Sequence, residues 1–142
     1  MVKGIRNSKE TLDVELYEQF EINKMLDKKM RTLSGGTTQK VSATLAFMFA
    51  PQVLILDEPT AGLDPIASEI LKAKIIKAKN MGCLILITSH LLSELEDIVS
   101  QVIFMQEGKV VLHQDVEQLK TNTQQKTIAK SIVHLLKAET LC

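Results

Sequence analysis

Four short segments carry residues whose types and spacing could do chemistry. Leu33-Ser34-Gly35-Gly36 stands where a helix is expected to begin. Two glycines let the main chain come close to a ligand, and the free N–H groups and positive dipole end of a helix favour an anion. The Ser34 hydroxyl adds a donor, although a plain N-cap followed by a glycine turn reads the same way. Val53-Leu54-Ile55-Leu56-Asp57-Glu58 ends four apolar residues on two adjacent carboxylates. In open α/β sheets, ligands bind at the C-terminal end of such a strand. There one carboxylate can serve Mg²⁺, usually through water, and its neighbour can orient or deprotonate an attacking water. The competing reading is a strand that ends in solvated acids. Pro59-Thr60-Ala61-Gly62-Leu63-Asp64-Pro65 is a tight polar turn into the next helix, with Asp64 near a cap position. His90 directly follows the run Cys83 to Ser89, where it could hydrogen-bond a phosphate or an attacking water, or simply be a surface histidine. His113 and His134 lack such a setting and read as surface residues.

These groups need elements to hold them. Residues 8–20 read as a helix capped by Ser8, with Leu12, Leu16 and Phe20 on one face. Residues 21–32 are a charged connection. A second helix is expected from about Ser34 to Phe49, with Val41, Leu45, Met48 and Phe49 as its apolar face and Pro51 as its stop. Val53 to Leu56 and Cys83 to Thr88 read as strands buried on both faces, as in a parallel sheet. Residues 67–79 between them read as a helix. A short helix over 91–99 is followed by a hairpin, Val102 to Met105 with Lys109 to Leu112, around Gln106-Glu107-Gly108. A helical turn over Asp115 to Lys120 and a last helix over 125–139, striped by Ile128, Ile132 and Leu135, complete the chain. Strand, helix, strand and helix in alternation mean an α/β core.

Composition narrows the function. The 142 residues suit one domain or a large piece of one, and 45% are apolar. Lys plus Arg and Asp plus Glu are 17 each, so the net charge is zero and nothing argues for nucleic acid. Cys83 and Cys142 have no metal-ligand spacing, which fits a reducing compartment. No apolar run approaches the ~18 residues of a membrane span.

LSGG at 33–36, LILDEPTAGLDP at 54–65 and ITSH at 87–90 together resemble the ABC ATPase family, over residues 10 to 120 or so. ITSHLLSELEDI and GKVVL are most similar to cassettes of the export class. The resemblance implies an α/β fold: a partial P-loop NTPase core with parallel strands, plus part of the helical subdomain. Residues 1–50 would belong to that subdomain, 51–120 to the C-terminal part of the ATPase core, and 121–142 to a C-terminal helix. That tail reads as completing the core rather than as a docking element. The resemblance also makes residues 33–36 the signature, 53–58 the Walker B strand, 61–64 the D-loop and His90 the switch histidine. In that family two nucleotide-binding domains sandwich ATP head to tail, so Ser34, Gly35 and Gly36 would bind the γ-phosphate of ATP held by a partner. Asp57 would help hold Mg²⁺, Glu58 would be the general base and His90 would contact the γ-phosphate. Asp64 would couple the two sites, and Gln39 joins the nucleotide-binding set. The implied partners are a second nucleotide-binding domain and a transmembrane permease, at the inner face of the cell membrane.

The chain departs from the family pattern in three places. Thr37 replaces the common glutamine after LSGG, with Gln39 two places on and Lys40 where arginine is frequent. A phosphate loop needs G-x-x-x-x-G-K-[ST]. Of six glycines only Gly108 precedes a lysine, with Ile103 where the first glycine belongs and Val110 after the lysine. The Q-loop is also missing, since Gln19 lies too close to the signature. The N-terminal half of such a cassette is therefore expected to be absent here, leaving an uncovered sheet face or an unpaired edge. Two functions remain: an ATPase subunit of an ABC transporter, seen as a part that is inactive alone, or a non-catalytic module supplying its signature in trans.

Overall fold

A computed structural model describes residues 12–140 of the chain. It is α/β and divides into two compact units, split after Ser89. The beginning of the expected 8–20 helix, with Ser8, lies outside the described residues. Within them it is a short helix α1 (Glu15–Gln19), followed by 3₁₀ turns at Ile22–Met25 and Met30–Thr32. Then come α2 (Gly35–Phe47), β1 (Val53–Asp57), α3 (Pro65–Asn80) and β2 (Leu84–Thr88).

The first unit is organised around α1, which packs against α2 and α3. Leu16, Phe20, Phe47, Leu71 and Ile75 are buried there. The apolar face of α2 differs from the expected stripe. Ala43, Thr44 and Phe47 are buried, whereas Leu45 is exposed and the helix ends at Phe47. Thr44 tolerates burial because its hydroxyl donates to the Lys40 carbonyl at 2.8 Å.

A lysine that sequence periodicity leaves unremarked fixes α1 to α3. Lys74 is only 5% exposed, and its Nζ reaches Asp13 Oδ2 at 2.5 Å and Glu15 Oε2 at 2.7 Å. Lys77 adds a second contact to Glu15 at 2.8 Å. Burial works against the Lys74 charge, but its hydrogen bonds to Asp13 and Glu15 prevail and hold its pKa above the ordinary lysine value. The Lys74 and Lys77 ammonium groups hold Glu15 below the usual glutamate range. A carboxylate with a depressed folded pKa contributes stability above its unfolded value, lost as pH falls through the folded one. Lys74→Ala leaves Asp13 without its counter-charge and Glu15 with the exposed Lys77 alone. It is expected to cost about 2–3 kcal/mol in urea unfolding near neutral pH and to flatten the loss of stability below the glutamate range. An unchanged midpoint would show the cluster to be idle.

β1 and β2 pair in parallel, in the register Val53↔Leu84 through Asp57↔Thr88. Leu54 and Leu56 are buried, as the sequence leads one to expect. The other face corrects the expectation of two-sided burial. Val53, Ile55, Leu84 and Leu86 are 56%, 72%, 68% and 51% exposed, because no described element covers them. Among the described residues the sheet has two strands, so the outer edge of each is unpaired. α3 starts two residues before the expected position, at Pro65, because Asp64 caps it and proline suits the first helical turn.

In the second unit, a 3₁₀ turn at Leu92–Glu94 replaces the helix expected over 91–99. Glu96 is drawn away to pair with Lys120 at 2.8 Å and to accept the Ile128 N–H, so the segment follows tertiary contacts rather than its own periodicity. The hairpin forms as expected from β3 (Gln101–Gln106) and β4 (Lys109–Asp115). Glu107 and Gly108 both have positive φ, 51° and 75°, the geometry a tight two-residue hairpin turn requires. α4 (Val116–Thr123) and α5 (Ile128–Thr140) follow. Val116, Leu119, Ile128 and Ile132 form the core, with Phe104 and Leu112 of the hairpin against it. Thr123 and Ser131 satisfy each other there at 2.9 Å. The tail thus completes a core, as its apolar stripe suggests.

Candidate functional site

The signature segment begins α2 as a capped helix. Ser34 is extended (φ −65°, ψ 160°) and its Oγ accepts the Thr37 N–H at 3.3 Å, with the two hydroxyls 2.8 Å apart. Gly35 and Gly36 are the first residues of the helix, so their N–H groups have no partner within it. The two glycines are not equivalent. A Cβ on Gly35 would meet nothing within 4 Å, whereas one on Gly36 would collide with the carbonyl oxygen of Gly62. Gly62 itself needs its left-handed φ of 73° to make the turn. The absence of a side chain at Gly36 therefore lets the signature touch the Pro59–Asp64 turn.

Two further ties bind α2 to that turn. Gln39 Nε2 donates to the carbonyls of Pro59 and Glu58 at 2.9 and 3.2 Å. Lys40 Nζ pairs with Asp64 Oδ2 at 2.8 Å and lies 5.9 Å from the centre of the Phe20 ring. Asp64 also accepts the Ala67 N–H at 2.8 Å, which caps α3. The Lys40 ammonium first, and the Ala67 N–H after it, hold the Asp64 carboxyl below the usual aspartate range. The cap that the sequence suggests for Asp64 and its place beside the signature are thus realised together.

Asp57 and Glu58 end β1 differently. Asp57 is exposed on the open face and accepts a hydrogen bond from the Thr88 hydroxyl across the parallel register. Glu58 leaves the strand with φ 44°, a left-handed conformation unusual for a residue with a side chain. Its N–H still donates to the Thr88 carbonyl at 3.0 Å, while its half-buried carboxylate accepts from Ser89 Oγ at 3.3 Å. Two neighbouring acids are thereby turned to different surroundings. Ser34, Gly35, Gly36, Gln39, Asp57, Glu58 and Asp64 all lie in the first unit, whereas His90 is exposed at the start of the second. Thr88, Ser89 and Lys40 join the site without having been singled out. The readable signal for the first two was their parallel position opposite Asp57 and Glu58.

A carboxylate beside a hydroxyl, as Asp57 is beside Thr88, suits a hard cation such as Mg²⁺ that keeps most of its waters. Among the described residues no group of three or more His, Cys, Asp or Glu could hold a metal by itself. The uncovered N-terminus of α2 suits an anion.

The family model described as ABC transporter matches residues 6–61. An uncharacterized ABC transporter ATP-binding protein of Bacillus subtilis, YhaQ, is 36% identical over 78% of this chain and 37% of its own length. The lantibiotic transport ATP-binding protein SrtF of Streptococcus pyogenes is 38% identical over 65% of this chain and 41% of its own. The lipopolysaccharide export system ATP-binding protein LptB of Haemophilus influenzae is 33% identical over 80% and 47%. A solved ATP-binding subunit of an ABC transporter superposes with TM-score 0.78 at 26% identity, covering 85% of this chain and 51% of that one. The chain thus spans less than half the length of these curated relatives. Motifs, geometry and comparisons agree: the chain belongs to the ABC transporter family of ATP-binding proteins.

Proposed function

We propose that this chain is the signature, base and switch portion of an ATPase that energises transport across a membrane. The observation that most supports this is the tie, through Gln39, between the helix begun by Ser34–Gly36 and the strand end carrying Asp57 and Glu58. ATP with Mg²⁺, when bound, supplies the phosphoryl group and the cation that offsets its charge. Asp57 would hold the cation through water, beside the Thr88 hydroxyl. Glu58 would take the proton of the attacking water, its main chain held by Gln39 and its carboxylate steadied by Ser89. The Ser34 hydroxyl and the N–H groups of Gly35 and Gly36 would bind the γ-phosphate of ATP held by a second nucleotide-binding domain. His90 would contact the γ-phosphate of the ATP bound by its own domain, and Asp64, paired with Lys40, would couple the two sites. Gln39 enters this scheme as the residue that positions Glu58, because its amide already faces two carbonyls. Residues 1–50 serve as part of the helical subdomain and 51–120 as part of the ATPase core. A transmembrane permease is the second partner, which puts the protein in the cytoplasm against the inner face of the cell membrane. No described helix is long and apolar enough to cross a membrane by itself.

The chain alone is expected to release no phosphate from ATP beyond a Glu58→Gln control, because no loop and lysine cradle the phosphates. Phosphate release clearly above that control would overturn this. The capped start of α2, formed entirely within these residues, also supports a second reading, a module that supplies its signature in trans. Under it, adding the chain to a complete ATPase subunit stimulates turnover, the stimulation survives Glu58→Gln, and Ser34→Ala abolishes it. If Glu58→Gln also abolishes the stimulation, the catalytic reading stands.

A further inference from the structure

The helix α5 has two unlike faces. One buries Ile128, Ser131 and Ile132 in the core of the second unit. The other carries Lys130, His134 and Lys137, with Lys126 just ahead of the helix, all exposed. Spacings of four, four and three place these groups in one stripe. Gln125, Ala129, Lys130, Val133, His134 and Lys137 line a shallow groove of about 290 Å³ along it. Lysines on the other helices are treated differently. Lys40, Lys72, Lys74, Lys77 and Lys120 each hold a carboxylate. Among the described residues no carboxylate pairs with Lys126, Lys130 or Lys137. Like charges one turn apart repel, so the stripe does nothing for the helix that bears it. Nor does it follow from a basic composition, since the chain has no net charge.

We propose that this stripe docks an acidic segment of a partner protein, with carboxylates at matching spacing and one apolar side chain seated on Val133. Three features choose that occupant. The apolar side of α5 is already buried except for Val133, too little to insert into a bilayer in the manner of an interfacial helix. No Phe, Tyr or Trp lines the groove and the chain is neutral overall, which disfavours nucleic acid. Val133 is half exposed between lysines, so the groove offers one apolar seat inside a positive rim.

The test uses the whole 142-residue chain and a labelled synthetic helical peptide. The peptide carries glutamates at i, i+4, i+8 and i+11 around a central leucine, and binding is read by fluorescence anisotropy. Binding is expected at low salt and is expected to weaken as salt is raised. Lys126→Glu, Lys130→Glu and Lys137→Glu together are expected to weaken it about tenfold, because three exposed pairs, each weak, are lost at once. Lys28→Glu with Lys29→Glu, two exposed lysines outside the stripe, is expected to leave it unchanged. Should the triple glutamate variant unfold by circular dichroism, the same three positions changed to glutamine carry the comparison. No binding, or equal loss in the control pair, overturns the proposal. Two other results overturn it as well. One is capture by phosphatidylserine vesicles through these lysines with no binding to the peptide. The other is self-association in sedimentation that charge reversal abolishes.

Discussion

Glu58→Gln is expected to stop ATP turnover once the chain works beside a phosphate loop, while ATP remains bound. A positioned general base contributes about 10² to 10⁴ in rate, so the residual turnover should be at most about one part in a hundred. The substitution keeps the shape of the side chain, and it removes neither the Gln39 bonds, which go to main-chain carbonyls, nor the Glu58 N–H bond to Thr88. Loss of turnover with retained nucleotide therefore separates proton acceptance from architecture. Single-turnover phosphate release is the measurement. Full activity in the variant would remove Glu58 from the chemistry and leave the strand end as a plain solvated acid.

The second large effect concerns a methyl group. Gly36→Ala is expected to destabilise the first unit by about 2 kcal/mol, in the range of overpacking against an unyielding neighbour. That neighbour is the main-chain carbonyl of Gly62 rather than a flexible side chain. Gly35→Ala, one residue earlier, meets open space and is expected to be neutral or stabilising by about 0.5 kcal/mol, since alanine favours the helix. Urea unfolding of the two variants side by side checks this. The contrast matters more than either value, and equal midpoints would show that the signature and the turn do not press together. In a working ATPase the displaced signature should also lose turnover.

What the sequence revealed followed local rules. The Ser34 cap, the paired acids at the end of β1, the hairpin turn at Glu107-Gly108 and the closing helix all announce themselves within a few residues. What it concealed depended on distant partners. Lys74 sits on a helix among other lysines, and only the arrival of Asp13 and Glu15, some sixty residues earlier in the chain, makes it a buried ion-pair centre. The segment at 91–99 has a helical pattern, yet Glu96 is taken by Lys120 and the start of α5. Gln39 reads as a ligand residue of the signature, but its amide spans to the next motif. The run VLILDE forecasts two-sided burial, whereas a strand's second face is covered only by what lies beside it. The candidate site residues were legible as types. Their mutual ties through Gln39, Lys40 and Ser89 were not, because no periodicity encodes a contact between helix and turn.

The open side of the β1–β2 pair has a colloidal consequence. Four large aliphatic side chains stand in register on one face, next to strand edges that, among the described residues, offer unpaired N–H and C=O groups. Ordinarily a protein's net charge keeps such surfaces apart, but here positive and negative residues balance at neutral pH. Encounters between molecules then meet attraction without a long-range barrier. The patch is therefore expected to weigh heavily on the solubility of this chain, and a lysine in place of Ile55 is expected to raise it.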